Sequence, residues 1–124
     1  MGVKKFEDLE CWKEARSLTR AIYSYTKQNG FSNDLNLTRQ IIGASILIMS
    51  NICKGFDSKS YADVIRYLVR SKRSCSVVKN CLYIAFDQNY ISVEEFRSAY
   101  KHTEKVRYII DGLMRYFKEH GKGP

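Results

Sequence analysis

Hydrophobic and polar positions fall at helical spacing along almost the whole chain, and one stretch stands apart. From Gln40 to Gly55 (QIIGASILIMSNICKG) no charge interrupts the run until Lys54, and between Ile41 and Cys53 only Ser45, Ser50 and Asn51 are polar. Apolar residues at every angle of the wheel predict a helix buried on all sides, with the other segments built round it. The run is shorter than the ~20 apolar residues a bilayer crossing takes, so it reads as a core helix.

Three further helices follow from the same periodicity. Helix 1 is predicted over about 8–28, where Leu9, Trp12, Ala15, Thr19, Ile22 and Tyr23 recur at steps of three and four, and Asn29-Gly30 stops it. Helix 2, about 36–54, takes Asn33 or Asn36 as its cap and ends at Gly55. Helix 3, about 60–88, opens on Ser58 or Ser60, with Ser60-x-x-Asp63 resembling a capping box, and carries Tyr61, Ile65, Leu68, Cys75, Val78 and Leu82 as its core stripe. Helix 4, about 93–118, opens on the capping box Ser92-Val-Glu94-Glu95 and has two adjoining apolar stripes, one through Phe96, Thr103 and Ile110 and one through Ala99, Val106 and Leu113; the tail from Gly121 frays.

Four helices, short connections and no strand pattern give an all-α, antiparallel up-down-up-down four-helix bundle, a single domain over 1–124. Helix 3 has a second apolar face, because Val77, Cys81 and Ile84 continue the arc begun by its arginines, and the apolar arc of helix 4 is wide enough for two neighbours. These surplus faces predict a homo-oligomer. Burial of helix 2 wholly inside one bundle is the competing expectation.

Charge changes the picture next. The 124 residues hold 21 Lys+Arg against 13 Asp+Glu, a formal +8, which favours a polyanion or an acidic protein surface as partner. Helix 3 is the most basic element: Arg66, Arg70 and Arg73 lie within about a 60° arc, Lys72 and Lys79 stand elsewhere on it, and no acid occurs between Val64 and Phe86. Tyr67, between Arg66 and Arg70, is placed to stack an unpaired base. Tyrosines with one wet end equally suit a subunit interface.

Catalytic chemistry finds no foothold. Cys11, Cys53, Cys75 and Cys81 form no C-x-x-C pair and sit among apolar neighbours, as reduced core residues of a cytoplasmic protein do. His102 lies off the apolar stripes of helix 4 and reads as exposed, His120 is near the terminus, and no phosphate loop, nucleophile elbow or zinc motif is present. The first residues lack a secretory h-region and the pattern for myristoylation. Neither an enzyme, nor a cofactor, nor a metal site, nor a membrane partner is expected. Ser45, Ser50 and Asn51 are expected to bond to nearby carbonyls.

Several short motifs run together in this order. Phe6-Glu-Asp-Leu9 with Cys11-Trp12-Lys13-x-Ala15, then Leu37-Thr38-x-Gln40-Ile41, then Ser45-Ile46 and Ser50-Asn51-Ile52-x-x-Gly55, Ser74, and Tyr90-Ile91-Ser92 resemble the motifs of the proteins encoded in 23S ribosomal RNA intervening sequences, the S23 family. Trp12, Gln40, Ser50, Asn51, Gly55 and Ser74 are the family-motif positions. Where the family has Ala-Glu before its glycine this chain has Cys53-Lys54, where it has Ala-Arg-Gly-Ser this chain has Ser71-Lys72-Arg73-Ser74, and the following Glu is Val77, so positive charge gathers at the adjoining helix ends. The resemblance implies a bacterial, non-enzymatic, pentameric barrel. With the basic arc it gives the expected function: an RNA-binding, ribosome-associated scaffold whose contacts are Arg66, Arg70, Lys72, Arg73, Lys79, Tyr67 and Lys54. The same fold serves as the accessory protein of diversity-generating retroelements, so the alternative implied is an adaptor that docks a reverse transcriptase. A third reading pairs Arg66 and Arg70 with acids of a neighbouring subunit.

Overall fold

The computed structural model describes residues 2–121, so the fraying expected of the last residues concerns 122–124, outside the described residues. Four helices appear in the expected order: α1 (Glu10–Thr26), α2 (Leu35–Asp57), α3 (Tyr61–Asp87) and α4 (Val93–His120). Short 3-10 turns at Phe6–Asp8 and Phe31–Asn33 precede α1 and α2. Each helix packs antiparallel on the next and α4 closes on α1, which makes a four-helix bundle with no strand among the described residues.

Local chemistry sets the helix ends. Ser60 accepts the Asp63 N–H at 3.2 Å to start α3, and Ser92 and Glu95 exchange both bonds of a capping box to start α4. The cap of α2 is neither Asn33 nor Asn36 but Asp34, whose Oδ1 accepts the Leu37 N–H at 3.1 Å. That helix also runs through Gly55 to Asp57 instead of stopping at the glycine. Gly55 is buried because α3 crosses there: a Cβ on it would meet Leu68, the Tyr67 Cβ and the Val64 carbonyl, each at 3.5 Å.

The core differs from the expected stripes in three places. In α1 the buried positions are Cys11, Ala15, Leu18, Ile22 and Thr26, while Trp12 is half-buried and Tyr23 exposed; the two large amphipathic rings drew the expected stripe off its axis. In α3, Tyr61 is exposed and Cys81, assigned to the second apolar face, is fully buried. In α2 burial is one-sided. Leu37, Ile41, Ala44, Ser45, Ile48, Asn51, Ile52 and Gly55 face inward, whereas Ile46 and Leu47 are 42% and 49% exposed. Ser45 and Asn51 donate to the carbonyls of Ile42 and Leu47, as expected of polar groups inside a helix.

At one end of the bundle the two outer loops are clamped together. Tyr90 stacks on Phe31, covers Gly30 where φ is +85°, and donates to Asp34 Oδ2 at 3.0 Å. Gln28 donates to Glu95 Oε2 at 2.6 Å. That bond, with the Ser92 backbone N–H, holds the Glu95 carboxyl below its ordinary pKa. A depressed carboxylate stabilises the fold above the ordinary value and loses that contribution as pH falls through the folded one. Wild type is therefore expected to exceed Glu95→Gln in stability by about 0.3–1 kcal/mol at pH 7, with the gap closing as pH drops below 4.5. Thermal melts of both proteins across that range check it; a gap independent of pH would mean the carboxylate's charge contributes nothing.

Candidate nucleic-acid interface

The basic residues expected on α3 divide into two groups. Lys72 reaches Asp111, and Lys79 lies 3.6 Å from Glu104 and over the Tyr100 ring, so both are committed to the seam with α4. Arg66, Arg70 and Arg73 turn away from α4 and are exposed. Their arc lies about 140° round the helix from the two lysines, on the side of α3 nearer α2. The contact with α2 lies between the two groups, where Ser71 bonds to the Ile48 carbonyl at 2.8 Å and Val64 meets Gly55, so the arginines stand on the far side of it from α4.

Tyr67 joins two of the arginines. The Arg66 guanidinium stands 4.9 Å and that of Arg70 5.4 Å from its ring centre, while Arg66 also meets Asp63 at 3.0 Å. The half-buried ring is thus already covered by cations and holds them in place; it is not an open platform for a base. Arg70, Arg73 and, at the end of α2, exposed Lys54 have no acidic partner among the described residues.

The outward face of α2 borders this basic edge. From Ile42 to Cys53 every exposed or half-exposed position is uncharged: Ile42, Gly43, Ile46, Leu47, Met49, Ser50 and Cys53. The face is roughly 16 Å long. Gly43 opens it, since a Cβ there would meet nothing within 4 Å. On α3, Val77 and Ile84 are exposed on the same arc as the arginines, as the sequence pattern led one to expect.

Of the other motif positions, Trp12 and Ser74 serve the fold. Trp12 packs edge-on against Phe6 and lies against Cys53, Ser74 is buried, and exposed Gln40 donates to Asn36 at 3.3 Å. Ser50 lies half-buried on the outward face of α2. His102 is half-buried rather than exposed, 3.9 Å from Glu14, which also meets Lys105. Burial pushes the Cys11 thiol up to about 12 and that of Cys75 to about 11, and raises Cys53 and Cys81, so the four stay protonated near neutral pH. Among the described residues no group of acids, histidines and cysteines is gathered to hold a metal, and no helix is long and apolar enough to cross a membrane.

Sequence reasoning missed two features. Tyr83, Phe86, Phe96 and Tyr100 form one ring cluster across the α3–α4 seam, with centroids 4.9–5.9 Å apart. Val3, Leu9, Ile109, Leu113 and Tyr116 line a groove of about 510 Å³ between the start of α1 and the end of α4. Both depend on helix register, which no local pattern shows.

This bundle has a solved counterpart. The crystal structure of a protein of unknown function from the S23 ribosomal protein family of Bacteroides thetaiotaomicron superposes with a TM-score of 0.77. The match covers 85% of this chain and 95% of that one at 16% identity, a likeness of fold. No curated protein matches the sequence significantly. The profile of the 23S rRNA-intervening sequence proteins matches residues 7–112, which takes in α1, α2, α3 and most of α4. The chain therefore belongs to the 23S rRNA-intervening sequence protein family.

Proposed function

We propose that this protein is a non-enzymatic, homo-oligomeric RNA-binding scaffold of the cytoplasm. The carrying observation is the juxtaposition on α2 and α3: an uncharged outward face of Ile46, Leu47 and Val77 beside Arg66, Arg70, Arg73 and Lys54. Exposed contiguous apolar surface marks an interface, and a self-complementary one makes an oligomer. Assembly repeats the cationic edge in every subunit. The edge offers phosphate contacts without base readout, so binding depends on charge and shape and weakens steeply with salt. The net +8 and a family named for an intervening sequence of ribosomal RNA support RNA as the polyanion. Five copies per ring is the count that the family resemblance implies.

The test reverses Arg66, Arg70 and Arg73 to Glu and measures RNA affinity and molecular mass together. Affinity is expected to fall by roughly 100-fold at 0.1 M salt with mass unchanged. Unchanged affinity would remove these arginines from the RNA site. Dissociation into monomers would instead assign them to ion pairs with a neighbouring subunit.

A further inference from the structure

A second run of cations lies on α1, and nothing in the bundle accounts for it. Lys13, Arg16, Arg20 and Lys27, the last just past the helix end, are all exposed and fall within about a 60° arc of the wheel. None of the four is paired with an acid among the described residues. The acids of α1 point elsewhere: Glu14 meets Lys105 of α4, and Glu10 lines the groove against α4. Glu7 and Asp8 stand before the first turn, and no acid occurs from Ala15 to Asn33. Arg16 rests 5.8 Å from the centre of the Trp12 ring, which fixes one edge of the stripe.

We infer that this stripe is a track for a nucleic-acid phosphate backbone, a second contact surface that rests on the RNA-binding reading above. At 1.5 Å per residue the four cations span roughly 21 Å, the axial length of about six phosphates of one duplex strand. Flanking the arc stand Ser17, Tyr23 and Ser24, exposed groups that can hydrogen-bond phosphate or sugar. Tyr23 is the one large exposed ring beside the stripe among the described residues, its hydroxyl also able to bond phosphate, and no aliphatic side chain is exposed between Lys13 and Lys27 to anchor a protein partner. The stripe does not suit a lipid surface either, because the apolar side of α1, with Ala15, Leu18 and Ile22, is buried in the bundle and unavailable for insertion. Since α1 and α3 lie across the bundle from each other, the stripe is separate from the arginines of α3.

The experiment compares wild type with Lys13→Ala/Arg16→Ala/Arg20→Ala/Lys27→Ala and with the α3 triple reversal. Each is titrated against a labelled RNA hairpin over a range of salt and against phosphatidylglycerol vesicles, with helicity checked by circular dichroism. The α1 variant is expected to stay folded, to bind RNA roughly 100-fold more weakly at 0.1 M salt, and to lose about 3.6 from the slope of log affinity against log salt. If it binds RNA as wild type does, the α1 track is wrong and the RNA reading survives. If wild type binds no RNA at low salt, both fall. If wild type binds the vesicles through this stripe and leaves the RNA untouched, the surface belongs to a membrane and both fall again.

Discussion

Ile48→Ala is expected to lower stability by about 3–4 kcal/mol, which for a chain of this size is a drop of roughly 10–15 °C in Tm. Ile48 is fully buried at the seam where α2 and α3 pack, and its carbonyl takes the Ser71 hydroxyl at 2.8 Å. One turn in either direction the same face presents Ala44 and Ile52, and two turns away Ile41 and Gly55, the last against Val64 and Leu68. Truncation removes three carbons from a wall whose two helices are held by these neighbours, so the space cannot close and the cavity cost adds to the lost transfer energy. Urea unfolding should show a lower midpoint with an unchanged m-value. A loss below about 1 kcal/mol would mean that the core is not centred on this seam.

How far such positions can be read without a structure differs by kind. Ser60 and Ser92 cap α3 and α4 where the pattern put them, because capping is settled within four residues. The inward face of α4 was equally legible, since Ala99, Thr103, Val106 and Ile110 repeat at helical spacing and are buried. Helix α2 was not. A helix with apolar residues on every side has the same sequence whether its outer face meets its own chain or another molecule, and Ile46 and Leu47 turn out to be uncovered. Gly55 misled for a related reason: it read as a stop signal, while it lies inside α2, buried against α3, where even a Cβ would meet only ordinary contacts at 3.5 Å.

The charged residues were legible as a net sign but not as surfaces. Lys72 and Lys79 share α3 with three arginines, and only the register of α3 on α4 brings them to Asp111 and Glu104. The reverse holds for α1. Glu10 and Glu14 make that helix look nearly balanced when its charges are counted; the wheel sets Lys13, Arg16, Arg20 and Lys27 apart from them, and the packing adds that the acids turn toward α4 while the cations face outward.

Ile46→Asp combined with Leu47→Asp is expected to dissociate the assembly to the 14.5 kDa monomer while leaving the helices intact. In a lone bundle the two side chains are already near half exposed, so carboxylates there cost within about 0.5 kcal/mol and α2 keeps its inward face. In an assembly that covers this face, each Asp is a charge taken out of water without a partner, a cost of several kcal/mol per interface that repeats round the assembly. Light scattering separates the two situations directly, and so does the melting temperature, which should rise with protein concentration for wild type and not for the variant. RNA affinity should fall as well, because a monomer presents one cationic edge where the assembly presents several at high effective concentration. A variant that keeps the wild-type oligomeric mass would move the interface to another face, whereas a wild type that is itself monomeric at all concentrations would end the scaffold reading. The pairing with Ile48→Ala is what makes the result specific: two isoleucines two residues apart face opposite sides of one helix, one expected to govern folding and the other assembly.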